Sequence, residues 1–173
     1  MQQKSIQTRV VARAIILVAL GVALSPFTSI PIGVARINPT QHFVNVVGAV
    51  LLGPWWAAGI ALIIAILRNA LGTGTLLAFP GGMIGAFLAG LLFRATRNIY
   101  VSALGEIVGT GLFGALVSAL LVAPVLMGKS MALGALILAF SGSTVLGSII
   151  GVLGLKLLER AGYADLKSRR YMP

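Results

Sequence analysis

Cysteine is absent from the 173-residue chain, and acidic residues and histidine are nearly absent, with three carboxylates and one imidazole. Without cysteine there is no disulfide, no thiolate metal ligand and no cysteine nucleophile. A single histidine with acids at positions 106, 159 and 165 forms no recognisable metal-ligand set. No G-x-x-x-x-G-K-[ST] loop occurs, so the chain is not expected to bind ATP itself. These absences predict a protein that is not an enzyme and that has no cofactor or metal.

Charge of either sign is scarce: 9% of the residues are charged, whereas 58% are hydrophobic and the mean hydropathy is +1.05. Soluble domains are about a quarter charged, so this composition indicates an integral membrane protein. The first apolar run, residues 10–25, has no Ala-x-Ala cleavage site after it and is followed by several similar runs, unlike a signal peptide. Residues 1–173 are therefore predicted to form one integral membrane domain.

Apolar runs of about the length of a membrane span predict an all-α bundle of six transmembrane helices. Pro26 is expected to end the first helix, and Pro54 and Pro80 to open the third and fourth, because proline is favoured in the first turn of a helix. The predicted spans are residues 8–25, 40–53, 54–71, 80–96, 101–123 and 131–158.

The formal net charge of +10 comes from basic residues that flank the spans. Ten of them lie on one side, against three on the other at Arg36, Arg68 and Lys129. Cytoplasmic loops are rich in Lys and Arg, so both termini are predicted to be cytoplasmic, with residues 26–39, 72–79 and 124–130 outside. This distribution also argues against nucleic-acid binding, since the charges follow the topology. The ten residues are Lys4, Arg9, Arg13, Arg94, Arg97, Lys156, Arg160, Lys167, Arg169 and Arg170.

The stretch RINPTQHFVN, residues 36–45, concentrates polar side chains in this apolar chain. Asn38, Gln41, His42 and Asn45 are three or four residues apart, so a helix would place them on one face. The predicted topology puts this face at the outer mouth of the protein. It is either a recognition face for a solute or a set of hydrogen bonds that fasten helices together.

Further polar and aromatic candidates lie in or near the other predicted helices, with Glu106 about 10 Å in from the cytoplasmic end of the fifth. Arg68 is either part of the site or an anchor that snorkels to the interface. Glu106, the only acid inside a predicted span, either serves function or pairs with Arg94 or Arg97. Serine and threonine hydroxyls in the sixth helix are expected to bond carbonyls one turn back. The other candidates are Asn69, Thr110 one turn above Glu106, and the possible aromatic walls Phe27, Phe43 and Phe79.

Glycine and alanine recur every four residues in the last three predicted helices, as in Gly105 and Gly109 or Gly147 and Gly151. Small residues at this spacing allow helix backbones to approach closely, so the pattern predicts tight packing. Proton-coupling acids and paired broken helices, by contrast, are not apparent, which disfavours a self-contained secondary transporter.

Three strings together resemble a known family. They are ARINPTQHFVNVVGAVLLGPWWA, LRNALGTGTLLAFPGGMIGAFLAGL and GEIVGTGLFGAL. They resemble the substrate-binding S component of energy-coupling factor vitamin transporters, in the group assigned to the thiazole precursor of thiamin. The resemblance covers nearly all of the chain from the first predicted helix to the sixth.

The resemblance implies a subunit of the prokaryotic plasma membrane that captures a vitamin precursor outside and docks on a membrane T component with two cytoplasmic ATPases. The family docks through an Ala-x-x-x-Ala motif on its first helix, which Ala19 and Ala23 fit, with Ala12 a further small position. The ligand-binding positions expected here are Asn38, Gln41, His42, Asn45, Arg68, Asn69, Phe79, Glu106 and Thr110.

The expected ligand is hydroxyethylthiazole, a small neutral heteroaromatic solute that needs an aromatic wall and a few amide or imidazole hydrogen bonds. One alternative is the pyrimidine precursor or another thiamin-related vitamin, because an amide or Glu106 could recognise an amino group. The other is a structural subunit of a membrane complex, in which the polar cluster only fastens helices.

Overall fold

A computed structural model describes residues 2–32 and 35–163. The predictions for the C-terminal end of the domain and for the basic residues Lys167, Arg169 and Arg170 lie outside the described residues. Six helical stretches and one hairpin make up the described part. They are α1 Gln2–Thr28, β1 Ile30–Ile32, β2 Ala35–Ile37, α2 Pro39–Leu52, α3 Pro54–Ala70, α4 Ala78–Thr96, α5 Ile99–Leu126 and α6 Leu133–Arg160.

The all-α prediction is confirmed, whereas a count of six membrane-crossing helices is not. Four of the described helices are long and apolar enough to cross a membrane: Gln7–Thr28 within α1, and the whole of α4, α5 and α6. With 14 and 17 residues, α2 and α3 are shorter. At about 1.5 Å per residue they rise about 21 and 26 Å, less than a hydrocarbon core of about 30 Å.

The first connection differs from its prediction. Pro26 does not end α1, which continues to Thr28 with Pro26 in its last turn. A proline there costs only one backbone hydrogen bond, and its fixed φ angle suits a helix. The chain then forms an antiparallel hairpin in which Ile30 pairs with Ile37. Alternation over two strands of three residues is too short a signal to find in the sequence.

α3 begins at Pro54 as predicted, and α2 begins at Pro39, one residue before its predicted start. α4 begins at Ala78, two residues earlier than predicted, with Pro80 still in the first turn where backbone N–H groups have no helical partner. α5 contains π-helical segments over Gly109–Gly114 and Ser118–Leu126 and runs past its predicted end, with Pro124 inside it.

α2 is the central helix of the bundle, since it packs against all five others. Glycines allow the helices around α2 to come close to it and to one another. A Cβ atom added to Gly109 of α5 would lie 2.6 Å from the Cα of Gly85 on α4, and one added to Gly151 of α6 would lie 3.0 Å from the Cβ of Val46. The predicted packing role of the small residues agrees with these contacts. The first turns of α2 are consequently enclosed by protein on every side.

Candidate functional site

The N-terminus of α2 carries the polar cluster. Asn38 caps this helix, and its Oδ1 accepts a hydrogen bond from the backbone N–H of Gln41 at 3.1 Å. Gln41, His42 and Asn45 follow on the buried face of the first two turns, at most 7% exposed. The helical spacing seen in the sequence therefore corresponds to one continuous polar face.

Glu106 of α5 joins this face as the common acceptor of three polar side chains. Its Oε1 lies 2.8 Å from Nδ1 of His42, 2.9 Å from Nδ2 of Asn45 and 3.0 Å from Oγ1 of Thr110. The carboxylate is fully buried. The structure thus pairs Glu106 with the cluster on α2 rather than with Arg94 or Arg97.

The hydrogen-bonded chain extends from Glu106 to a buried arginine. Nε2 of Gln41 lies 3.3 Å from Oδ1 of Asn45, and Nη1 of Arg68 lies 3.4 Å from Oε1 of Gln41. Asn45 also donates to the carbonyl of Gly82 on α4 at 3.1 Å. The Arg68 guanidinium and the Glu106 carboxylate are thereby linked across the interior of the bundle. The link runs through the side-chain amides of Gln41 and Asn45.

Arg68 does not snorkel to the surface, because only 2% of the residue is exposed. Nη2 lies 3.2 Å from the carbonyl oxygen of Thr73, while Nε has no hydrogen-bond partner. Charge-assisted hydrogen bonds are usually about 2.7–2.9 Å long, so both contacts of the guanidinium are long for a cation.

A small cavity lies against this chain of polar groups, with a volume of about 30 Å³. Five of the predicted site residues line it. The wall facing them includes Phe140 and Ser143 of α6 and two glycines of α4, Gly81 and Gly82. The lining residues are Arg36, Asn38, Gln41, His42, Arg68, Ala78, Gly81, Gly82, Thr110, Phe140 and Ser143.

Four predicted residues do not line the cavity. Asn45 and Glu106 lie behind His42 and Thr110 and hold them in place. Asn69 instead fastens the α3–α4 connector, with Nδ2 at 2.8 Å from the carbonyl of Ala65 and 3.2 Å from that of Thr75. Phe79 lies half-buried beside the cavity-lining residue Ala78 without lining the cavity itself.

The aromatic wall comes from a residue that the sequence analysis missed. Phe140 lines the cavity, whereas Phe27 is 86% exposed and Phe43 packs on the apolar core. Ser143 was also misjudged, since its Oγ lies 2.8 Å from the backbone N of Asn38 as an acceptor. No local signal marks either residue, because Asn38 is 105 positions from Ser143 and the cavity-lining Gly81 is 59 positions from Phe140.

The cluster lies near the start of α2 and within the first third of α5. His42 is ten residues before the end of α2, or about 15 Å along its axis. Glu106 is seven residues from the start of α5, or about 10 Å into a helix of 28 residues. The place of the cluster at the outer mouth of the protein stays a prediction, because it depends on the orientation predicted from the basic residues.

The groove between α1 and α3, around Ile15 and Trp55, is almost entirely apolar. Ala12, Ala19 and Ala23 are all exposed on the outward face of α1. Within the described part of the chain, no three His, Asp or Glu side chains come together as a metal site requires.

Apolar helices around a buried polar cavity define a multi-pass membrane protein with an internal polar site. A family model described as thiamine-precursor transporter protein (ThiW) matches residues 11–161, and the chain belongs to this family. The resemblance drawn from the three sequence strings is thereby confirmed. The family is one of transporters, consistent with a protein that is not an enzyme. No curated protein and no solved structure matches the chain.

Proposed function

We propose that the protein is the substrate-binding membrane subunit of an energy-coupling factor importer, and that it captures hydroxyethylthiazole from outside the cell. The observation that carries this proposal is the cavity beside His42, which joins polar side chains to an aromatic wall inside an apolar bundle. Ligand sites are commonly apolar cavities with a few convergent polar groups. Membership in the thiamine-precursor transporter family supports the same ligand class.

The polar groups match the chemistry of this ligand. Because the carboxylate of Glu106 accepts a hydrogen bond from Nδ1 of His42, the neutral imidazole has Nε2 left as an acceptor. The hydroxyl group of the ligand can donate to that nitrogen. The thiazole nitrogen is an acceptor, for which the Arg68 guanidinium is a donor, and Phe140 offers its ring to the flat heterocycle.

Binding requires the cavity to widen. A volume of about 30 Å³ holds about two water molecules, and a methylated thiazole ring with a hydroxyethyl arm is several times larger. We infer that the hairpin carrying Arg36 and the facing wall at Phe140 move apart when the ligand enters. A ligand-bound structure in which these walls keep their present separation would contradict this inference.

The energy for import is proposed to come from a membrane T component and two cytoplasmic ATPases. Exposure of Ala12, Ala19 and Ala23 supports a docking face on α1, because small residues allow another helix to approach closely. We propose that all six helices are embedded in the prokaryotic plasma membrane with both termini cytoplasmic, as the basic asymmetry of the sequence indicates.

Native mass spectrometry of the purified protein tests the proposal with a panel of hydroxyethylthiazole, the pyrimidine precursor and thiamin. We expect a one-to-one complex with hydroxyethylthiazole that survives when the other two compete at equal concentration. Preference for the pyrimidine would assign the alternative ligand. Binding of none of the three would favour a structural subunit whose polar cluster only fastens helices.

A further inference from the structure

The guanidinium of Arg68 is a buried cation without an anion. Within the described residues Arg68 forms no ion pair, and it contacts only the neutral oxygens of Gln41 and Thr73. Its Nε is buried and has no partner. Leaving a buried charge uncompensated costs several kcal/mol, and charged residues inside a membrane protein are by default functional.

A second cation lines the same cavity. Arg36 on β2 is exposed to solvent yet contributes to the cavity wall, whereas Arg68 closes it from inside. Both arginines therefore border the cavity, Arg36 on its solvent-exposed side and Arg68 in the interior. The carboxylate of Glu106 lies behind His42 and Thr110, where its Oε1 accepts their hydrogen bonds and its Oε2 has no partner, and among the described residues it forms no ion pair with either arginine.

We infer that the site takes a heteroaromatic ligand bearing an oxyanion, a carboxylate or a phosphate ester, held between Arg36 and Arg68 with the ring toward Phe140. The inference rests on the proposed ligand-binding function and extends its ligand class to anionic relatives of hydroxyethylthiazole. The planar guanidinium fork matches carboxylate and phosphate oxygens, and pairing with an oxyanion would use the free Nε of Arg68.

The test compares three probes on the full-length protein by calorimetry at low salt: hydroxyethylthiazole, its phosphate monoester and a thiazole carboxylate. At least one anionic probe should bind roughly tenfold or more tightly than the neutral alcohol, since hydrogen bonds to charged groups are the stronger class. Its affinity should fall with added salt while that of the neutral alcohol stays level. The better anionic probe identifies the oxyanion.

Single variants test whether the two arginines cause the preference for the anionic probe. Arg68→Gln and Arg36→Gln should each remove most of the anion preference, while Arg94→Gln, an exposed arginine at the far end of α4, should keep it. Arg36 is exposed on the hairpin, so its variant is decisive even if Arg68→Gln fails to fold.

Equal or tighter binding of the neutral alcohol overturns the inference and leaves the proposed function standing. A preference that persists in both Arg36→Gln and folded Arg68→Gln also overturns the inference. Failure of all three probes to bind overturns the inference and the proposed function together.

Discussion

At the scale of single residues, one carboxylate organises the site. Glu106 accepts from His42, Asn45 and Thr110 through the same oxygen, and these residues belong to two helices. Hydrogen bonds to a buried charge offset its desolvation, and removal of one partner leaves the others unsatisfied. His42 is therefore held with Nε2 as its remaining ring nitrogen, and Asn45 acts one layer behind the cavity.

The first prediction concerns these two residues. His42→Ala should weaken hydroxyethylthiazole binding roughly five- to hundredfold, because the ligand hydroxyl loses a buried acceptor. Asn45→Ala should weaken binding less, since Asn45 only positions Gln41 and Glu106. Titration calorimetry gives the affinities, and melting without ligand gives the stabilities.

The control is Asn98→Ala at the opposite end of the bundle, where Asn98 caps α5. Loss of the helix cap should lower the free energy of unfolding by about 1 kcal/mol, and with it the melting temperature. The affinity for the ligand should be unchanged. If His42→Ala and Asn45→Ala behave like Asn98→Ala, the polar face fastens helices and does not recognise a ligand.

At the scale of helices, the close approach of α4 and α5 brings the polar groups together. The backbones meet at Gly85 and Gly109, and Glu106 lies one turn before Gly109. A Cβ atom on Gly85 would be 2.7 Å from Oε2 of Glu106. A larger side chain at Gly85 or Gly109 would push α5 away from α4 and move the Glu106 carboxylate away from α2.

The second prediction compares two glycine-to-alanine variants. Gly109→Ala should lower the free energy of unfolding by about 1–3 kcal/mol and weaken ligand binding, because the added methyl group meets the backbone of α4. Gly142→Ala in α6, where a Cβ would have no neighbour within 4 Å, should leave stability unchanged or slightly raised. Thermal melting with and without ligand measures both effects. Equal melting temperatures for the two variants would mean that α5 does not depend on this contact.

At the scale of the whole molecule, polar contacts show which connections share an end of the bundle. The Ser29 hydroxyl lies 3.4 Å from the carbonyl oxygen of Thr73, so the residues before the hairpin and the α3–α4 connector are at one end. Lys156 lies over the ring of Tyr100, at 5.1 Å from its centroid, so the start of α5 and the end of α6 are at the other. The end that contains Tyr100 and Lys156 also contains Arg94 and Arg97, the basic residues near the α4–α5 turn.

The third prediction uses this arrangement and the absence of native cysteine. Single cysteines at Ser29 and Thr73 should react with an impermeant thiol reagent in intact cells, because the end with few basic residues is predicted to face outside. A cysteine at Asn98 should react only after the membrane is opened. The reverse pattern would invert the orientation and place the mouth of the cavity in the cytoplasm.

The fourth prediction is energetic. The chain has no phosphate-binding loop, and Glu106 is the only acid inside a predicted span. Liposomes containing this protein alone should therefore bind hydroxyethylthiazole but not accumulate it, with or without a proton gradient. Accumulation above the outside concentration would instead identify a self-contained secondary transporter.

Sequence alone determined the properties that depend on composition and on local spacing. Apolar runs specify helices in a membrane, Pro39 and Pro54 mark where two of them begin, and i, i+3 and i, i+4 spacing puts Gln41, His42 and Asn45 on one face. The three conspicuous strings also identified the family. These signals are readable because each arises from residues within about two turns of one another.

Only the tertiary structure decided which helices meet and how far the polar face is buried. Periodicity shows that a face is polar and does not say what covers it, so the pairing of His42 with Glu106, 64 positions apart, was left open. The roles of Phe140 and Ser143 were missed for the same reason. The site is buried because α2 is enclosed by five helices, an arrangement set by glycine-mediated packing between distant parts of the chain.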